Sequence, residues 1–135
     1  MFVFVVWTLF SGVIKEQIFL QACGNGSVRT IRYLLNSGVS ANARDGWNGS
    51  CMFYAAANGH SEIVDLLLSG GIEVDATYRM NRTALIMAAA NGRLETVKLL
   101  ISRNANTRLR DADGKTALDH AIEQNQSRVV EFLKP

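Results

Sequence analysis

Four segments of this 135-residue chain repeat one pattern at a fixed interval of 33 residues. AAANGHSEIVDLLLSGG begins at Ala55, and AAANGRLETVKLLISRN begins one interval later at Ala88. ACGNGSVRTIRYLLNSG begins at Ala22, and the most divergent copy, AIEQNQSRVVEFLKP, begins at Ala121. A constant period of this length is typical of chains whose units stack on their neighbours, because one such unit cannot bury its own apolar face. The period therefore predicts a repeat architecture.

Residues 45–77 show how one unit is built. Ser50 stands before an Ala-rich run and can cap its helix, as Thr83 and Thr116 do one and two periods later. That first helix is predicted to end at Gly59, where a left-handed backbone needs no side chain. The equivalent positions hold Gly26, Gly92 and Asn125. A second helix, SEIVDLLLS, has a broad apolar face and is predicted to end at a glycine.

The segment after the second helix, IEVDATYRMNR, is too short for a further helix and predicts a hairpin-like connection. Asn48, Asn81 and Gly114 recur there, and all are residue types that tolerate positive φ in a tight turn. Alanines line the first helix of each unit and leucines the second. Thin inner and thick outer helices predict a curved stack with a concave face on the thin side. We therefore expect function to depend on a surface rather than on a deep pocket.

Composition is that of an ordinary globular protein, with 48% hydrophobic and 19% charged residues. The net charge of +2 is too small to indicate a nucleic-acid partner. Cys23 and Cys51 lie 28 residues apart, without a C-x-x-C motif or paired histidines. This arrangement predicts neither a zinc site nor a disulfide framework. We interpret both cysteines as small buried residues in a reducing compartment.

The first eleven residues, MFVFVVWTLFS, do not follow the 33-residue pattern. They are apolar but shorter than the roughly 20 residues that a membrane-spanning helix requires. They also lack the basic start and the small-residue cleavage site of a secretory signal. We interpret them as a segment that covers the open end of the stack, or as the start of a longer parent chain.

These residues resemble the ankyrin repeat, whose pattern runs roughly D-x-x-G-x-T-P-L-H-x-A-A-x-x-G-H, then a V-x-L-L-L helix and G-A-D-V-N. DADGKTALDHAI, at residues 111–122, matches its opening, and AAANGH and LLLSGG match its middle. The resemblance implies an all-α solenoid of stacked helix-turn-helix units joined by hairpin-like loops. Its units would be residues 12–44, 45–77, 78–110 and 111–135, with the first and last as degenerate capping units and residues 1–11 outside them.

The sequence does not favour catalysis. His60 and His120 lie in different units and at different positions of the repeat, so they do not predict a convergent acid–base pair. We interpret both as structural. Gly-rich stretches such as GNGS lack the strand and the lysine of a phosphate-binding loop. We therefore expect a protein without enzymatic activity, small-molecule substrate, cofactor or metal.

The resemblance also implies where a partner protein would bind, since partners of ankyrin repeat proteins usually contact the hairpin tips and the exposed ends of the inner helices. Carried over position by position, the tips are Arg44 and Trp47, then Arg79, Met80 and Arg82, then Arg110, Asp113 and Lys115. The helix ends are Asn25, Asn58, Asn91 and Gln124.

Charge and aromatic content indicate what kind of partner would bind. Tryptophan and arginine are enriched among binding hot spots, and Trp47 at a turn tip has little core to enter. Residues 79–115 hold eight Lys or Arg against three Asp or Glu. We therefore predict a partner protein with an acidic, partly apolar segment that lies across the tips. A nucleic-acid partner is disfavoured, because the basic residues lack interleaved aromatics for base stacking.

Two hypotheses of different classes remain. The first is a cytoplasmic or nuclear interaction module, with no membrane partner. The second is a membrane-associated or secreted protein that uses residues 1–11 as an anchor or signal. The resemblance also implies a modification, because intracellular ankyrin proteins can be hydroxylated at an asparagine in the position of Asn42. Ser40 replaces the acidic residue that is usually preferred nearby.

Overall fold

Side-chain caps fix where the inner helices begin. In the computed structural model of the chain, the hydroxyls of Ser50 and Thr83 each accept a hydrogen bond from the backbone N–H three residues later. Thr116 and Asp119 form a reciprocal capping box. The structure describes the backbone of residues 2–135 and the side chains of residues 3 and 10–135. All three predicted caps are therefore confirmed.

Within the described residues, eight α-helices form two layers, and the strand content is a single isolated bridge between Arg44 and Ser50. The inner layer consists of α1 (Phe2–Asn25), α3 (Cys51–Asn58), α5 (Ala84–Ala90) and α7 (Ala117–Glu123). The outer layer consists of α2 (Val28–Asn36), α4 (Ser61–Ser69), α6 (Leu94–Ser102) and α8 (Ser127–Leu133). Each inner helix contacts the next inner helix and its own outer helix. The predicted all-α solenoid is confirmed.

The connections between units are short hairpin turns of one design. Asn48, Asn81 and Gly114 have φ values of 62°, 60° and 75°, as their residue types predicted. The backbone N–H of Asp45 donates to the carbonyl of Gly49 over 3.0 Å. The same bond recurs one and two periods later, from Tyr78 to Arg82 and from Asp111 to Lys115. One extra feature is a 3-10 turn at Arg79–Asn81.

The core lies between and behind the inner helices. The small residues Ala56 and Ala89 are fully buried where adjacent inner helices meet. Leu67 and Leu100 occupy one position in successive outer helices and are buried against the inner layer. The predicted distinction between thin inner helices and thick outer helices is therefore correct.

Helix α1 differs from the other inner helices. It has 24 residues, whereas α3 has eight and α5 and α7 have seven each. It continues through Gln17, which lies one period before the cap residue Ser50. Its second half packs like its counterparts, with Phe19 and Cys23 fully buried, whereas Phe10 is exposed.

The prediction that residues 1–11 cover the open end of the stack concerns side chains that lie mostly outside the described residues, so it stays a prediction. The unit boundaries also stay predictions. Among the described residues, none of the helices is both long enough and apolar enough to span a membrane.

The interpretation of the two cysteines is half correct. Both are fully buried, but they are not free thiols: Cys23 in α1 and Cys51 in α3 form a disulfide, with their Cα atoms 5.1 Å apart. This Cα distance lies within the ordinary range for a disulfide. A separation of 28 residues is not a recognisable disulfide motif in the sequence. The repeat stacking brings the end of one inner helix against the start of the next, and that contact pairs the two sulfurs.

Candidate protein-binding surface

The hairpin tips are joined to one another by hydrogen bonds. Arg44 of the first tip donates to the carbonyl of Thr77 at 3.3 Å, and its guanidinium lies 4.7 Å from the centre of the Tyr78 ring. The carbonyl of Met80 in the second tip accepts a bond of 2.9 Å from the N–H of Ala112 in the third. These bonds hold the three hairpin tips in one row, which we call the tip row. Arg44 is therefore a link between tips rather than a free cation.

Trp47 is the largest apolar side chain presented by the row, with 72% of its surface exposed. The carboxylate of Asp45 accepts hydrogen bonds from the N–H groups of Trp47 and Gly49, at 2.8 and 2.9 Å. These bonds fix the turn that carries the indole. The guanidinium of Arg79, from the second tip, lies 5.4 Å from the indole centre, within cation–π range. Trp47 and Arg79 thus form an exposed aromatic and cationic pair across two tips.

A carboxylate held in its ionised form lies beneath this pair. Burial raises the pKa of Asp45, but hydrogen bonds from Tyr54 and from the backbone of Gly49 and Trp47 outweigh it and lower the pKa below 3.8. The Tyr54 hydroxyl donates to this carboxylate, which raises the pKa of Tyr54 to about 12. The first tip therefore keeps this hydrogen-bonding pattern across the physiological pH range.

The fourth unit contains an equivalent buried pair that sequence reasoning missed. Nε2 of His120 lies 2.7 Å from Oδ2 of Asp111, whose side chain is fully buried. Asp111 and His120 occupy the repeat positions of Asp45 and Tyr54, two periods later. The signal in the sequence that could have indicated this pair is the spacing between a carboxylate and a ring with a hydrogen-bond donor, which is the same in both units. The interpretation of His120 as a structural residue agrees with this contact. Its role is a polar one, because its ring bonds to the Asp111 carboxylate.

The same carboxylate also holds a residue that the sequence assigned to the binding surface. Nε of Arg82 donates to Oδ2 of Asp111 at 3.3 Å, so Arg82 bridges the third and fourth units. Its guanidinium is neutralised by this ion pair. Arg82 is half-buried, and Arg79 and Met80 are therefore the exposed members of the predicted binding residues in the second tip.

The remaining predicted site residues are exposed or half-buried, and several have partners within the chain. Arg110 donates to the carbonyl of Gly114 at 2.7 Å, and Nζ of Lys115 lies 2.7 Å from the Glu123 carboxylate. Asn58 and Asn91 each donate to the carbonyl four residues earlier in their own helices, at 3.0 and 2.8 Å. The exposed residues without a role in these contacts are Asn25, Asp113 and Gln124.

The excess of basic residues in 79–115 does not form one patch. Arg93 donates to the carbonyl of Ala57, Lys98 pairs with Glu95, and Arg103 pairs with Asp65. Those three cations lie on the inner-helix ends and outer helices, away from the tips. Arg110 also lies 3.9 Å from the Asp119 carboxylate. Within the described residues 79–115, the basic character of the tip row therefore rests mainly on Arg79, with Arg108 exposed near Arg110.

Next to the first tip lies a shallow depression of about 360 Å³. Its walls are residues of α1 together with Asp45 and Tyr54, and it opens widely to solvent. His60 is not one of its lining residues. Its Nε2 lies 2.8 Å from the carbonyl of Gly24 and links two units. The depression is shallow and open, as on a contact surface.

Comparison with known proteins agrees with this geometry. A family model described as ankyrin repeats (3 copies) matches residues 52–135, and one described as ankyrin repeats (many copies) matches residues 19–68. No curated protein matches the chain. The first match alone spans more than half of the sequence, and the two together cover residues 19–135. The chain belongs to the ankyrin repeat family.

Proposed function

We propose that this protein is a non-catalytic interaction module whose tip row binds a partner protein through an acidic, partly apolar segment. Ankyrin repeats are generally protein–protein interaction modules, and the chain is a member of that family. The observation that carries the finer proposal is the exposed pair of Trp47 and Arg79 on a fixed turn. An apolar side chain of the partner would cover the indole, and a neighbouring carboxylate would face the guanidinium.

The contact would extend from this pair along the row. Met80 is 45% exposed and follows Arg79 directly, and Arg110 and Asp113 lie on the next tip. The exposed helix ends, Asn58, Asn91 and Gln124, would offer amide groups on the concave side. Because Arg44 and Arg82 are engaged within the row, their contribution is to hold the tips in place.

Replacing Trp47 tests this proposal. We expect Trp47→Ala to weaken partner binding by about 2 kcal/mol, roughly a 30-fold rise in Kd, because an exposed indole on a rigid turn is a typical hot spot. The fold should be unchanged, since the side chain is exposed and its backbone bonds remain. The measurement is capture from native cells with wild-type and variant baits, followed by the affinity of the proteins that only the wild type retains.

Two further variants make the test specific. Arg79→Glu is expected to slow association and reduce its salt dependence, since it reverses an exposed charge. Arg82→Glu is unsuitable, because it would place a second carboxylate against buried Asp111. Ser69→Ala, at the exposed end of α4, is the control and should bind like the wild type. Partners retained equally by all four baits would contradict the tip row as the binding surface.

Hydroxylation at Asn42 remains part of the proposal for an intracellular protein. Its side chain is exposed, and its backbone N–H donates to Ser40 at 3.2 Å in the loop after α2. An exposed loop is where a modifying enzyme can reach a side chain. The measurement is intact mass and peptide mapping of the protein from cells that contain the hydroxylase, with unmodified Asn42 as the contradicting result.

One observation favours the alternative of a secreted or membrane-associated protein. The intracellular interpretation used unpaired cysteines, whereas the structure joins Cys23 to Cys51, and disulfides persist mainly in oxidising compartments. Thiol trapping in intact cells separates the two hypotheses. Alkylation of both cysteines after rapid denaturation would support the cytoplasm or nucleus. Protected cysteines, together with secretion or membrane association that is lost on deleting residues 1–11, would support the alternative.

A further inference from the structure

Both open ends of the stack expose apolar side chains at positions that are buried inside it. Ile18 is 43% exposed, and Ile122 is 52% exposed. The positions equivalent to Ile18 in later units, Cys51, Ala84 and Ala117, are at most 1% exposed. Those equivalent to Ile122 in earlier units are Cys23, Ala56 and Ala89, all 0% exposed. Terminal units of soluble repeat proteins normally present polar outer faces, whereas each end of this stack has an exposed isoleucine among its described residues, at a position that is buried between units elsewhere.

The disulfide shows which positions face each other across a junction between units. Cys23 in α1 is bonded to Cys51 in α3, so these two repeat positions are in direct contact. Three periods after Cys23 stands Ile122, and one period before Cys51 stands Ile18. If a second copy continued the stack, Ile122 of one molecule would therefore face Ile18 of the next. The two exposed isoleucines occupy matching positions.

A polar contact gives the same register independently. The hydroxyls of Ser61 and Thr96 lie 2.8 Å apart across the junction of the second and third units. Two periods after Ser61 stands Ser127, and two periods before Thr96 stands Thr30. An end-to-end junction would thus reproduce a serine–threonine pair. The other two internal junctions have apolar residues at these positions, namely Val28 with Ile63 and Leu94 with Val129.

Side-chain size also matches across the open ends. At each internal junction, a glycine at the end of the inner helix makes room for a long side chain of the next unit. A Cβ at Gly26 would lie 2.8 Å from the His60 ring, and a Cβ at Gly59 would lie 2.9 Å from Arg93. At the open end the glycine is replaced by Asn125, and the long side chain by the short Ser27. The larger residue would therefore come from the end of the inner helix and the smaller one from the next unit, the reverse of the internal junctions.

We propose that a second copy of this chain docks head to tail on the first and continues the solenoid. The head face is formed by Val13, Ile14, Ile18 and Thr30, and the tail face by Ile122, Ser127 and Val130. The tail residues, together with Asn125, Glu131 and Lys134, line a shallow groove of about 630 Å³ that can receive Ile18. Isoleucines are bulkier than the alanines inside the stack, so the inner helices would stand further apart there, within the 8–10 Å range of helix pairs. This contact is heterologous, so assemblies larger than a dimer should form with rising concentration.

Charge substitutions at the two ends test the proposal. Sedimentation of the wild-type chain should show a mass that rises stepwise with concentration, whereas Ile18→Glu and Ile122→Glu should each remain monomeric. Both residues are exposed, so neither change should disturb the fold. Mixing the two variants should restore association, because each retains the face that the other lacks, and growth should stop at a 1:1 dimer. Ser69→Glu adds the same charge to a middle unit and should associate like the wild type.

Cross-linking tests the register. Ile122→Cys mixed with Ile18→Cys should give a disulfide-linked heterodimer on mild oxidation, in excess over either homodimer. A wild-type chain that stays monomeric at all accessible concentrations would overturn the proposal. So would loss of association in Ile18→Glu with retention in Ile122→Glu, because that pattern identifies a symmetric contact between two α1 helices. Vesicle binding through α1, without self-association, would likewise overturn it in favour of a lipid surface.

Discussion

Asp111→Ala is expected to lower the free energy of unfolding by about 3–5 kcal/mol, because it removes the carboxylate that several buried donors share. His120 Nε2 and the backbone N–H groups of Asp113 and Lys115 would each lose an acceptor at 2.7–3.0 Å. Urea unfolding at neutral pH measures the effect. Asp113→Ala, two residues away and exposed, is the control and should change stability by less than about 0.5 kcal/mol. Equal effects of the two substitutions would contradict a buried role for Asp111.

This carboxylate also gives the chain a defined acid sensitivity. Burial raises the pKa of Asp111, but hydrogen bonds from His120 and from the backbone of Lys115 and Asp113 outweigh it and lower the pKa to about 2. A folded-state pKa below the ordinary 3.8 stabilises the fold above about pH 4, and this contribution is lost as the pH falls towards 2. The stability difference between wild type and Asp111→Asn should therefore shrink between pH 4 and pH 2. A constant difference over that range would contradict the shift.

Leu100→Ala is expected to lower the free energy of unfolding by about 2–5 kcal/mol, because it opens a cavity between α6 and the inner helices. Leu100 is fully buried at the position that Leu67 occupies one unit earlier, so Leu67→Ala should cost a similar amount. Leu99→Ala removes the same atoms from a side chain that is partly in water and should cost clearly less. The measurement is the denaturant midpoint of unfolding for each of the three variants. A larger effect at Leu99 than at Leu100 would mean that the buried face of α6 has been assigned incorrectly.

The architecture could be predicted because the repeat states each local rule several times. Ser50, Thr83 and Thr116 mark helix starts at one interval, and residues with positive φ mark the turns. A single cap or turn residue is a weak signal, but its recurrence with period 33 removes the ambiguity. The thin and thick helix faces follow from alanine and leucine positions in the same way, and no long-range information was needed.

Contacts between units could not be predicted, because they depend on which repeat positions meet. The pairing of Cys23 with Cys51 and of Arg82 with Asp111 joins residues whose separations match no local motif. The start of α1 was not predicted for a different reason: Gln17 stands one period before the cap residue Ser50 but is not a typical capping residue, so nothing at this position marks a helix start and α1 continues through it. Among the predicted site residues, the exposure of Trp47 could be predicted from its position at a tip. The contacts of Arg44 and Arg82 could not, because their partners lie in the neighbouring tip.

The covalent link between α1 and α3 makes the two ends of the stack unequal in how they fray. In a linear array each unit is stabilised by its neighbours, so partial opening normally begins at either terminus. A first unit that is bonded to the second cannot separate from it, whereas the contacts described for α7 and α8 are all noncovalent. Amide hydrogens should therefore exchange first in the fourth unit and then in the third. The chain would open in one direction, and the first tip with Trp47 would be the last part to lose its shape.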